Sequence, residues 1–165
     1  MSTQTGSNDP VLVRLFAMLC DVPQSQRQER MEALFALGRR YILLALAASQ
    51  NLHPDALEQR LMIEGEQALG ALCRQPAPDL PLVQAWYQEA IEMHSSALAV
   101  ATQHEDFPRL WAYRGLAHRQ LNHPVQAQVD FSVAQAGSEH IASLVALWQA
   151  SFVPATGEPA PSVDL

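Results

Sequence analysis

Apolar residues return every three or four positions along most of this chain, the spacing that gathers them on one face of an α-helix. Asp9-Pro10 reads as a helix start, an N-cap acceptor followed by proline at the first helical position. Val11, Leu12, Leu15, Phe16 and Leu19 supply the apolar face of that first helix, and Asp21-Val22-Pro23 closes it. A second helix is predicted over about 25–49, with Met31, Leu34, Phe35, Leu37, Tyr41, Ile42 and Leu46 on broad apolar faces. Its first half is polar and its second half nearly all apolar, so the second half is expected to cross the core. Asn51-Leu52-His53-Pro54 stops the chain and restarts it into a third helix reaching about Arg74, carrying Leu57, Leu61, Ala68, Leu69 and Leu72. Gly65 and Gly70 lie inside that helix. Each weakens it by about 1 kcal/mol relative to alanine, which calls for a bend or a close neighbour.

The run Gln75-Pro76-Ala77-Pro78-Asp79-Leu80-Pro81 is the strongest internal break. It divides residues 9–74 from 82–152 and is too short to require two domains. A fourth helix over about 82–103 places Trp86, Tyr87, Ala90, Ile91, His94, Ala97, Leu98 and Ala101 at helical spacing. Phe107-Pro108 opens a fifth, to about Leu121, and His123-Pro124 a sixth, to about Ala136. Gly137-Ser138 restarts the chain into a seventh bearing Ile141, Leu144, Val145 and Trp148. No segment reads as a strand. Residues 1–8 and the proline-, alanine- and glycine-rich stretch 153–165 lack periodicity and are expected to be disordered. The pattern predicts an all-α protein of about seven helices forming one domain over 9–152.

Composition narrows the function. A chain of 165 residues can bury a real core. With only 16% charged residues, it must bury much apolar surface in that core or against a partner. The net charge of -7 argues against nucleic acid as the partner, since wrapping it rewards a basic stripe. The longest apolar run, Tyr41 to Ala48, is far short of the ~20 residues a bilayer requires and reads as a buried helix segment. Residues 1–9 carry neither the basic start nor the apolar stretch of an export signal, so the expected compartment is the cytoplasm, with no membrane partner. Cys20 and Cys73 stand far apart among leucines and alanines, where free cysteines behave as small core residues.

Nothing in the sequence calls for catalysis. It holds no glycine-rich phosphate loop, no G-x-S-x-G, no H-E-x-x-H and no Cys-x-x-Cys. His53 and His123 precede prolines at helix starts, His104 lies in a polar loop, and His94 and His118 occupy packing positions. Glu89 and Glu92 share a helix face that His94 does not, so no metal set forms. The expectation is a non-enzymatic protein without cofactor or metal.

One segment carries a nameable pattern. Trp111, Gly115, Ala127, Phe131 and Ala134 stand at the bulky, small and aromatic positions of a helix–turn–helix unit of about 34 residues. Over about 108–136 the chain resembles a tetratricopeptide repeat, with His118 where that family usually has tyrosine and Glu139 where proline often ends the unit. Gly115 and Ala127 permit close approach of two antiparallel helices, and Trp111 and Phe131 fill the space beside the contact. Ala90, His94 and Ala97 look like the second helix of a degenerate preceding unit, with the third helix as its partner and the seventh as a cap. The resemblance implies a TPR-like right-handed superhelix whose groove is lined by Arg109, Ala112, Tyr113, Leu116, Arg119 and Gln120. Arg109 and Arg119 would clamp a carboxylate of another protein or peptide, with Tyr113 beside them. Size, acidity and architecture are also similar to the small repeat-containing chaperones that bacterial type III secretion systems use for translocators. Two rivals remain: a ligand-binding or enzymatic bundle with a pocket near Trp86 and Tyr87, and a homo-oligomerising structural module.

Overall fold

A computed structural model describes residues 9–101 and 107–153. Among the described residues there are eight helices and no strand, so the chain is all-α. They are α1 (Pro10–Asp21), α2 (Arg27–Gln50), α3 (Pro54–Glu64), α4 (Ala68–Leu72), α5 (Pro81–Val100), α6 (Phe107–Gln120), α7 (Pro124–Gly137) and α8 (Glu139–Ser151). None is long and apolar enough to cross a membrane. The expectations for residues 1–8 and for the tail beyond Val153 lie outside the described residues, as does His104.

The predicted starts and stops are realised chemically. Asp9 accepts from the Leu12 N–H at 3.0 Å, and Ser138 caps α8 by accepting from Ile141. Proline occupies the first turn of α1, α3, α5 and α7, where its missing N–H costs nothing. Asn51 ends α2 at φ 58°, a left-handed position asparagine tolerates. The third predicted helix is two. Gly65 sits at φ 88°, a backbone state that side-chain-bearing residues rarely adopt, and the chain turns there before re-entering a helix at Ala68.

The most extensive helix pair is α2 with α5, followed by α6 with α7. This corrects the expected pairing of α5 with the third helix: α2 is the partner, and α3, α4 and the proline-rich loop are an insertion between the two. α5 packs on α6, α7 on α8, α8 on α4, and α1 lies along α2. One apolar cluster draws residues from all eight helices, from Leu12 in α1 to Trp148 in α8. The run Tyr41 to Ala47 is buried throughout, as its composition requires. Cys73 is buried, but Cys20 is exposed, because it falls on the outer side of α1 rather than its Leu12 face.

Candidate functional site

The hairpin of α6 and α7 is built around Gly115. A Cβ there would lie 2.9 Å from the Phe131 ring and 3.1 Å from the Asp130 Cβ, so only a hydrogen fits. Ala127, Phe131 and Ala134 are buried. Trp111 is half-buried, edge-on to Phe107 and under the Arg114 guanidinium at 4.7 Å. Arg114 in turn forks onto buried Asp130 at 2.8 and 2.9 Å.

The α2/α5 pair repeats this construction. Gly38 takes the place of Gly115, and His94 that of Phe131: a Cβ on Gly38 would lie 2.5 Å from His94 Nε2. Leu34, Gly38 and Tyr41 on α2, with Ala90, His94 and Ala97 on α5, carry the same spacing as 111–118 and 127–134. The signal is present in the sequence but split by the insertion. Gly38→Ala is therefore expected to cost about 1–2 kcal/mol net, overpacking of about 1–3 kcal/mol being partly offset by about 1 kcal/mol of helix propensity. Urea unfolding of the variant checks this; a stabilised variant would show that the contact is not tight.

The face expected to line an open groove is occupied. Ala112, Tyr113, Leu116, Arg119 and Gln120 are all buried, and Arg109 is half-buried. Helices α5, α7, α8 and α2 all pack on α6, and the inserted segment 65–77 reaches it at both ends of the expected groove. At one end Arg109 Nε approaches both Glu66 carboxylate oxygens at 3.2 and 3.3 Å, and the Tyr113 hydroxyl donates to the same carboxylate. In the middle, Trp148 Nε1 donates to the Glu66 carbonyl at 3.1 Å, Gly70 rests against Trp148, and Gln50 Nε2 donates to the Leu72 carbonyl. At the other end Gln120 Nε2 donates to the Gln75 carbonyl, and the Ala77 N–H donates to the Gln120 carbonyl. Helices α2, α6 and α8 thus all hold one short, mostly non-helical stretch of chain.

Arg109 and Tyr113 do grip a carboxylate, that of the chain's own Glu66. Arg119 does not. It donates from Nη1 to the Trp148 carbonyl at 3.3 Å and stacks on Phe152 at 4.0 Å, while Nε and Nη2 are buried without partners. Burial lowers its pKa to about 10, so it stays charged at neutral pH. Burial, then the Glu66 charge, push the Tyr113 hydroxyl well above its ordinary value. Burial pushes the Cys73 thiol up to about 12, leaving it an inert neutral group. Sequence reasoning missed Glu66, Trp148 and Gln75 as members of this site. The one local hint was Gly65, immediately before Glu66.

The other candidates resolve differently. A cleft of about 550 Å³ opens beside Trp86, between Asp9, Arg40 and His53, but Tyr87 points into the core, where its hydroxyl meets Gln120. Arg40, at the cleft wall, is taken up by Asp9, Asp55 and Glu58. His53 accepts from the Asp55 N–H, the expected turn chemistry, and His118 pairs with His123 at 3.1 Å. His94 is a core residue, as its packing position predicts, and both its ring nitrogens lack a hydrogen-bond partner. No group of metal-competent side chains occurs among the described residues. Comparison with protein-family models, with curated proteins and with solved structures gives no match.

Proposed function

We propose that this chain is a non-enzymatic, TPR-like interaction module, an adaptor or chaperone, that holds a segment of another polypeptide against the faces of α6 and α8. The observation that carries this reading is the treatment of residues 65–77. Arg109 and Tyr113 bind a carboxylate, and Trp148 and Gln120 bind main-chain carbonyls, which is how a peptide is held irrespective of most of its side chains. The like construction of the Gly38/His94 and Gly115/Phe131 hairpins supports the repeat resemblance. Peptide recognition in a groove of paired helices is what that resemblance implies.

Pull-down from a native lysate at modest salt tests it. The expected result is a stoichiometric polypeptide whose recovery falls at least tenfold with Arg109→Glu, since the substitution removes a half-buried carboxylate contact and sets like charges against each other in its place. Two specific observations favour other outcomes. The Trp86 indole N–H is buried without an acceptor near the 550 Å³ cleft, which suits a small ligand that survives purification. Val125, Val129 and Val133 form an exposed stripe on α7, which suits self-association visible by light scattering. Either, without a captured polypeptide, overturns the adaptor reading.

A further inference from the structure

We propose that segment 65–77 is a displaceable built-in occupant of the α6/α8 face, and that the incoming partner is an acidic peptide repeating its contacts more completely. The partner would carry a carboxylate for Arg109 and Tyr113, apolar side chains three and six positions later, and a second carboxylate at the seventh. This inference rests on the polypeptide-binding reading.

The segment lies outside the two hairpins that carry the face. Gly38 and Ala90 are separated by 52 positions, Gly115 and Ala127 by 12, yet the two hairpins pack alike. The extra length is therefore an insertion tethered at both ends, and the glycine contact of neither hairpin runs through it. Gly65, at φ 88°, bounds it on one side and Pro76, Pro78 and Pro81 on the other. Between these bounds only α4, five residues long, is helical, too short to be stable by itself.

The fit of the occupant is also incomplete. Glu66 meets its partners, and Leu69 and Leu72 are buried three and six positions later. The seventh position is Cys73, a fully buried neutral thiol two residues before Gln75, whose carbonyl Gln120 holds, so the segment offers no carboxylate at the Arg119 end of α6. Arg119 Nε and Nη2, and Gln120 Oε1, remain buried without a hydrogen bond. Leaving such groups unsatisfied is costly, so a competitor that offers an acceptor there gains what the resident segment cannot. The resident keeps the advantage of being tethered, and lowers the apparent affinity of any competitor by the fraction of time the face stands open.

The test uses two labelled synthetic peptides spanning residues 64–78, one with Cys73→Ser and one with Cys73→Asp. The full chain carries Cys20→Ser together with Gly70→Cys and Ser151→Cys. A Cβ on Gly70 would lie 3.2 Å from Ser151 Oγ and 3.3 Å from Trp148 Cα, so a disulfide here locks the segment onto α8 once Trp148 gives by a few tenths of an ångström, and loss of free thiol on oxidation verifies that it has formed. The expected result is binding of the Cys73→Asp peptide to the reduced chain at least tenfold tighter than the Cys73→Ser peptide. Oxidation should abolish both and dithiothreitol should restore them. In the otherwise native chain, Cys73 should be alkylated at least tenfold faster with Glu66→Gln, with little dependence on dilute urea, the mark of local opening. Equal binding to locked and reduced chains overturns the proposal. So does Cys73 labelling that is unchanged, or that follows the urea dependence of global unfolding. If a lysate polypeptide is held equally by the locked chain, the adaptor reading stands and the displaceable segment falls. If the peptides bind as expected but no lysate polypeptide is captured, the displaceable segment stands and the adaptor reading falls.

Discussion

Replacing Trp148 with alanine is expected to remove about 3–5 kcal/mol of stability, the usual cost of emptying a fully buried indole site. Trp148 is completely buried and meets Tyr113 edge to face at 5.5 Å. Its Nε1 holds the Glu66 carbonyl, its own carbonyl accepts from Arg119, and its backbone supports Gly70. One side chain thus joins α8, α6 and the inserted segment. Domains of this size hold only about 5–15 kcal/mol in total, so the variant should unfold at visibly lower urea. The same substitution should also raise Cys73 alkylation below the unfolding transition, because the segment loses its central support. Trp148→Phe separates the two effects: it keeps most of the buried area, gives up one hydrogen bond, and should cost only about 1 kcal/mol from that bond, with a further modest loss of packing. Equal losses in the two variants would mean that the indole does not bridge these elements.

The helices are legible in the sequence because their signals are local. Asp9-Pro10, His53-Pro54, His123-Pro124 and Ser138 mark starts through capping and proline geometry within three or four residues. The Gly115–Phe131 contact is legible for the same reason, its two halves being separated by one tight turn. Gly38 carries an equal signal but is hidden, since its partner His94 lies beyond an insertion that a contiguous reading assigns to the repeat itself. The groove illustrates the converse. The repeat pattern marks Arg109 and Arg119 as a carboxylate clamp with Tyr113 beside them, but no periodicity reveals that Arg109 and Tyr113 hold the carboxylate and that residue 66 supplies it. Docking of 65–77 depends on side chains from α2, α6 and α8 acting together on an element with almost no helix of its own. Spacing alone makes Arg119 a twin of Arg109. Its place near the other end of α6 sets it instead over the Phe152 ring, with no ion pair among the described residues.

His94→Phe is expected to stabilise the chain at neutral pH and to flatten its acid sensitivity. In the native state His94 is wholly enclosed, flanked by Phe35 and by Tyr113 at ring distances of 5.6 and 5.8 Å, with neither nitrogen hydrogen-bonded. Burial, reinforced by the positive charge of Arg114, lowers its pKa from 6.5 to about 3. The folded protein therefore holds it neutral across a range in which the unfolded chain protonates it. Between those two values the unfolded state binds the extra proton, so this group's contribution is complete above pH 6.5 and is lost as pH falls towards 3. The slope is about 1.4 kcal/mol per pH unit, which amounts to about 2–3 kcal/mol by pH 4.5. Phenylalanine, already the residue at the equivalent place in the α6/α7 hairpin, fills the site beside Gly38 and removes two unsatisfied buried nitrogens. A gain of about 1–3 kcal/mol at pH 7 follows from that removal. Urea unfolding of both proteins at pH 7, 5.5 and 4.5 gives the answer as a difference, in which the carboxylates common to both cancel. The gap between variant and parent should widen steadily with acidity; parallel curves would assign the acid response to other groups and leave His94 a mere filler of space.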